Sequence, residues 1–321
     1  MSLLSVFATA ILPIVTIAAV GFVLGRVREI DVGPLNTVTV YVLVPALVFH
    51  SLTTTPVGGA TLVKVLVGVV VFILVMVGLA EGVGRALGED EPIQSAFVLV
   101  SAFSNCGNYG IPLSAFAFGA TGRATAVLYL VAQSVVIYTV GVYLASRAGG
   151  ARGLGALTKV FRLPLVYAVV FAFVVRTLGL VPPADGATMT TIQLVGDASI
   201  PLMLILVGIQ LANANYGAAL SRVGPANVLK LLVAPVVGLA IAVALDFANT
   251  TVARVFVLEC ATPAAITSLI LLIELGGERP VEGVSGPEYV SAAVLTTTLV
   301  SVPVLTLLIT ALKTGVVGSL L

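Results

Sequence analysis

Apolar runs of about 20 residues recur along the whole of this chain, and each is long enough to cross a hydrocarbon core of roughly 30 Å. Lipid offers the backbone no hydrogen-bond partners, so such runs must satisfy their own amides and carbonyls, as a helix does. Composition agrees: 59% of the residues are hydrophobic and 9% charged, where a soluble domain carries about a quarter charged residues. Mean hydropathy is +1.19. The sequence therefore predicts an all-α, polytopic membrane protein. Its spans fall near 3–25, 33–54, 61–80, 93–119, 122–145, 157–179, 189–211, 226–245, 251–275 and 289–312, ten in all. The first run lacks a basic leader and a small-residue cleavage site, and reads as a span rather than a signal peptide. A net charge of +1 without charged runs gives nucleic acid nothing to bind. Two cysteines in apolar segments and one histidine, His50, make neither a disulfide framework nor a Cys/His metal centre.

The longest charged connection lies between the fifth and sixth spans and divides the chain into residues 1–147, a cytoplasmic linker at 148–156, and 157–321. Prolines support two related halves. Pro13, Pro45 and Pro112 precede Pro164, Pro201 and Pro263 by 151, 156 and 151 residues. A proline removes a helical hydrogen bond and bends the chain, so matched prolines predict matched backbone shapes. Five spans per half make the second half enter from the opposite face, giving two inverted five-helix repeats, a common transporter architecture. Connections 1–2, 3–4, 5–6, 7–8 and 9–10 and their adjoining helix ends hold Arg26, Arg28, Arg85, Arg147, Arg152, Lys159, Arg162, Arg222, Lys230 and Arg279. The other side holds Lys64, Arg123, Arg176, Arg254 and Lys313. Ten against five places the first set in the cytoplasm and both termini outside. On this reading no lysine or arginine lies at mid-membrane.

Two spans are interrupted. SNCGNYGIPL (residues 104–113) brings two asparagines, two glycines and a proline into the fourth, and CATP (residues 260–263) follows Glu259 in the ninth. Irregular backbone is tolerated at membrane depth only inside protein or beside a water-filled cavity. The breaks are therefore expected to cross near Pro112 and Pro263. The 151-residue offset carries Asn108 onto Glu259, each four residues before its proline. An ionised acid at a helix centre costs about 2.5–3.5 kcal/mol even on the lower scales. Glu259 then serves either an ion or proton, or is a protonated acid bonded to a neighbouring helix. Ser104 and Asn105 offer oxygens for a hard cation such as Na+, or else satisfy backbone freed by the break. Asn105, Asn108, Tyr109, Pro112, Asp197, Pro263 and Thr267 are the candidate substrate contacts. Gln133 and Ser268 either line the cavity or bond across helices.

SNCGNYGIPL, with Asn105 seven residues before Pro112, resembles the auxin efflux carrier family, which includes plant PIN-formed proteins and prokaryotic permeases. Residues 35–49, 196–212 and 230–238 resemble its second, seventh and eighth helices. The resemblance implies a scaffold of spans 1, 2, 6 and 7 that pairs in a homodimer, and a transport domain of spans 3–5 and 8–10. The fold is shared with bile-acid sodium symporters, whose sodium ligands are similar in type to Ser104, Asn105 and Glu259. That likeness implies Na+ as a coupling ion, with no other cofactor. Asp197 stands where relatives often have a neutral residue.

An intramembrane aspartyl protease would need Gly-x-Gly-Asp, but Leu194, Val195 and Gly196 precede Asp197. No enzyme is expected. The sequence predicts a secondary transporter in the plasma membrane that moves a small organic anion by alternating access. Na+ coupling, proton coupling, an uncoupled carrier and a channel or sensor on the same fold stay open.

Overall fold

A computed structural model describes residues 3–55, 58–149, 164–213, 217–276, 280–281 and 283–314. The linker beyond Gly149, with Arg152, Lys159 and Arg162, and also Arg279, lie outside the described residues. In chain order the helices are α1 (Leu3–Val27), α2 (Val32–Thr54), α3 (Gly59–Ala86), α4 (Ile93–Ala102), α5 and α6 (residues 106–118 and 120–148), α7 (Pro164–Thr177), α8 (Ala187–Asn213), α9 (Gly224–Leu245), α10 (Thr250–Cys260), α11 (Thr267–Leu275) and α12 (Gly286–Lys313). Among the described residues there is no strand beyond isolated bridges. Counting 106–148 as one run, seven helices are long and apolar enough to cross a membrane.

The run Cys106–Ala148 has 43 residues, about 65 Å at 1.5 Å per residue and twice the hydrocarbon thickness. It divides at Gly119, where φ 65° and ψ −148° fit only a residue without Cβ. Four further interruptions come from proline. Pro13, Pro45, Pro112 and Pro235 each follow a π turn, at Phe7–Ile11, Thr39–Leu43, Cys106–Gly110 and Leu229–Val233. The proline ring clashes with the carbonyl four residues back. The residue before each proline instead bonds the carbonyl five residues back, as Ala234 N–H does to Leu229 O.

Two of the three matched pairs, Pro45 with Pro201 and Pro112 with Pro263, do not give matched shapes. Pro45 follows a π turn, whereas Pro201 follows a helix junction at Ala198. Pro112 lies in the first turn of a helix, whereas Pro263 lies within a break. Proline fixes which hydrogen bond is lost, and the surrounding packing decides how the chain absorbs the loss.

α1 packs along the second part of α8, and α2 packs against α7 and the first part of α8. The first contact is backbone to backbone. A Cβ at Gly21 would overlap the Ile205 carbonyl, and one at Gly208 the Ala18 carbonyl. Small residues of this kind let membrane helices approach closely. Every residue of α4 is buried, as are most of α10, while Val20, Tyr41, Phe171 and Leu194 face outward. The two broken segments are thus the innermost part of the molecule.

Candidate functional site

α4 stops at Ala102 and α10 at Cys260, and the extended residues that follow pair antiparallel, Ser104 opposite Ala264. Asn105 N–H donates to the Pro263 carbonyl (2.7 Å) and Ala265 N–H to the Phe103 carbonyl (3.0 Å). The rest of the freed backbone is held by side chains. Gln133 of α6 accepts from Ser104 N–H (3.0 Å) and donates to the Ser104 carbonyl (2.6 Å). Thr297 of α12 accepts from Ala264 N–H (3.1 Å). Pro263 cannot donate to the Glu259 carbonyl, and the Thr262 hydroxyl does so instead (2.9 Å). The crossing falls at residues 103–105 and 263–265. Pro112 lies beyond it, buried in the helical turn after the π turn.

A cavity of about 560 Å³ opens from this crossing. It runs to the face where α2 begins, at Val32 and Gly33, and where α11 nears its end, at Glu274. Of the candidates, Ser104, Asn105, Asn108 and Thr267 line it, with Gln133, Ser134 and Gln210 adding polar groups. Tyr109 is buried against α12, its hydroxyl 3.2 Å from Ser301 Oγ. Pro263 is buried in the crossing itself. Asp197 lies away from the cavity, with its side chain 42% exposed and its Oδ1 2.6 Å from Arg123 Nη1. Arg123 Nη2 is 3.4 Å from His50 Nδ1. Asp197, read from sequence as an intramembrane acid, is one member of this partly exposed cluster.

Glu259 is fully buried. Its Oε1 accepts from the Ser114 hydroxyl (2.5 Å), and Oε2 has no hydrogen-bond partner among the described residues. The carboxyl presses on Gly110, where a Cβ would overlap it. Ser268, also buried, has no partner for its hydroxyl among the described residues.

Lys230 was not foreseen. Counted from sequence with the interfacial cations, it is instead fully buried. Its Nζ donates to Ser104 Oγ (2.6 Å) and to the Cys260 carbonyl (3.2 Å), and lies 5.7 Å from the centre of the Phe72 ring. A lysine is thus buried among the helices at the crossing, and the interfacial count becomes nine against five. The π turn ahead of Pro235 carries Lys230 at its second residue, and the four-carbon stem spans the rest of the distance. The Na+ ligand set must be weighed against this. Ser104 Oγ already accepts from an ammonium, and Glu259 is turned to Ser114 and Gly110. This arrangement does not fit a sodium ion.

Comparison with known proteins places the chain among membrane transporters. Residues 6–155 and 153–309 match the family described as membrane transport protein. An uncharacterised transporter of Methanothermobacter thermautotrophicus is 26% identical over 82% of this chain and 87% of its own length. A Rhizobium meliloti protein named "Putative malonate transporter" is 24% identical over 95% of both chains. An uncharacterised transporter of Methanocaldococcus jannaschii is 21% identical over 81% of this chain and 87% of its own length. The family match covers almost the whole chain, and the motif around Asn105 and Pro112 that resembles auxin efflux carriers lies at the crossing: this chain belongs to the membrane transport protein family of auxin-efflux-type carriers.

Proposed function

We propose that the protein is a secondary carrier of a small carboxylate, malonate or a close analogue, working by alternating access. One observation carries this reading: the N-terminal ends of two half-helices, α5 at Asn105–Asn108 and α11 at Thr267, edge the same polar cavity. The helix dipole adds positive potential at each end; in α11 the Ser268 and Leu269 N–H groups already donate to the Ala265 and Ile266 carbonyls (3.1 and 3.0 Å), so that end acts through its dipole. Two such ends converging on one cavity form a carboxylate site without a lysine or arginine in its lining. The amides of Asn105, Asn108 and Gln210 would add donors. The name of the Rhizobium meliloti relative narrows the carboxylate class to small dicarboxylates.

In this reading α4–α5 and α10–α11 each complete one crossing, giving ten spans in two inverted five-helix repeats. Packing supports it: α1 with α8 and α2 with α7 are contacts that exchange when the halves are swapped. Bracing supports it as well, since the fifth span supplies Gln133 to its own half's break and the tenth supplies Thr297 to the other. The chain sits in the plasma membrane with both termini outside and pairs through α2 and α8 of the scaffold.

Uptake of radiolabelled malonate into proteoliposomes tests the proposal. Uptake should saturate, show counterflow, and fall by about tenfold or more in Asn105→Ala. Flux that rises linearly with concentration and shows no counterflow would make the protein a channel instead.

A further inference from the structure

Every carrier driven by an ion needs an ion that arrives and leaves. At this crossing the position between the two breaks is filled by a cation that can do neither. We propose that the Lys230 ammonium is a tethered replacement for a coupling cation, holding α4–α5 against α10–α11 so that the solute site forms without Na+.

The acceptors of Lys230 come one from each break: Ser104 Oγ after α4, and the Cys260 carbonyl at the end of α10. The Cys260 carbonyl is free to accept because its helical partner, Ala264 N–H, is bonded to Thr297. Two of the three ammonium donors are thus placed on oxygen, and the charge also faces the Phe72 ring. A hard cation would ask for the same hydroxyl and carbonyl oxygens. No carboxylate lies within ion-pair distance of Lys230 among the described residues. Glu259, next to Cys260 in the chain, is held by Ser114 and against Gly110 rather than by the ammonium. Removing Lys230 would leave two oxygen acceptors without their cation, the Ser104 hydroxyl from one break and the Cys260 carbonyl from the other, in a buried position that a small cation can fill. A tethered charge stores no ion gradient, so flux follows the gradient of the solute and the membrane potential.

The inference rests on the carrier reading only for its flux arm; the binding arm stands alone. Purified protein would be compared in NaCl and choline chloride at equal ionic strength, by ²²Na+ binding and by thermal unfolding. The wild type should bind no saturable ²²Na+ and unfold at the same temperature in both salts. Lys230→Ala should gain saturable ²²Na+ binding, about tenfold over the choline-competed background, and be stabilised by Na+ alone. Folding of that variant in NaCl but not in choline would be the same result in another form. If it folds in neither, Lys230→Met, which keeps the stem against Phe72, takes its place, and the wild-type arm decides if both fail. Saturable Na+ binding by the wild type, or a folded Lys230 variant that ignores Na+, overturns the proposal. In proteoliposomes, malonate uptake by the wild type should be equal in Na+ and choline. Absence of any uptake would count against the carrier reading and leave the binding result intact.

Discussion

Gly110 and Glu259 meet inside the crossing with no room for a methyl group between them. Overpacking a rigid interior costs about 1–3 kcal/mol, so Gly110→Ala should lower the unfolding midpoint and reduce flux. Shortening the acid should relieve it: Gly110→Ala with Glu259→Ala should lose less than the sum of the two single changes, by about 1 kcal/mol or more in a double-mutant cycle. Strictly additive losses would mean that the overlap is absorbed elsewhere. Glu259 was legible in the sequence because an acid inside an apolar span stands out. Lys230 was not, because a lysine in the first turns of a helix reads as a side chain reaching back to the interface. Two things hidden from a linear reading turn it inward: the π turn that Pro235 imposes, and a carbonyl at Cys260 left free by the distant Thr297. The partner of Asp197 was not legible for a related reason, since Arg123 stands 74 residues away.

At the level of elements, the breaks were visible as clusters of glycine, asparagine and proline inside apolar runs, and both exist. Their position was less visible. The π turn Cys106–Gly110 absorbs Pro112, with Ile111 N–H bonded to the Cys106 carbonyl, so this proline does not open the chain. Pro112 therefore sits after the break, and the chain opens at Phe103–Asn105 where Gln133 can hold it. Gln133 presents one acceptor and one donor to Ser104, as a neighbouring strand would. An apolar isostere leaves a buried N–H and a buried C=O unpaired, each costing about 1–3 kcal/mol. Gln133→Leu should thus be strongly destabilised and lose protection of the Ser104 amide in hydrogen exchange. Gln133→Glu, which keeps the acceptor and loses the donor, should fall between it and the wild type. A Gln133→Leu protein that melts with the wild type would show that the crossing is held by its own two backbone rungs and the Lys230 contact.

For the whole molecule the question is which contacts must break for the cavity to change sides. The cavity reaches the face where α2 begins, and a polar cluster lies toward the other end of α2. There Arg123 of α6, on the transport side of the proposed division, binds Asp197 of α8 and reaches His50 of α2, both on the scaffold. Opening this face requires α6 to move from α2 and α8, so the Arg123–Asp197 pair must part once in every cycle. The pair is partly exposed, and such pairs contribute about 1 kcal/mol or less. That strength suits a latch, because a contact of about 1 kcal/mol biases a two-state equilibrium about fivefold without locking it. Asp197→Asn should shift the population toward the state open on this face by that factor, read as increased labelling of a cysteine introduced at Ser134, which lines the cavity, by a membrane-impermeant reagent applied from this face alone. A covalent latch gives the sharper test. The native Cys106 and Cys260 are buried, so Arg123→Cys with Asp197→Cys can be bridged by a short bifunctional thiol reagent with little background. Bridging should abolish malonate counterflow, and release with a cleavable reagent should restore it. Full counterflow with the bridge complete would mean that α6 and α8 travel together, and that the moving boundary lies elsewhere in the fold.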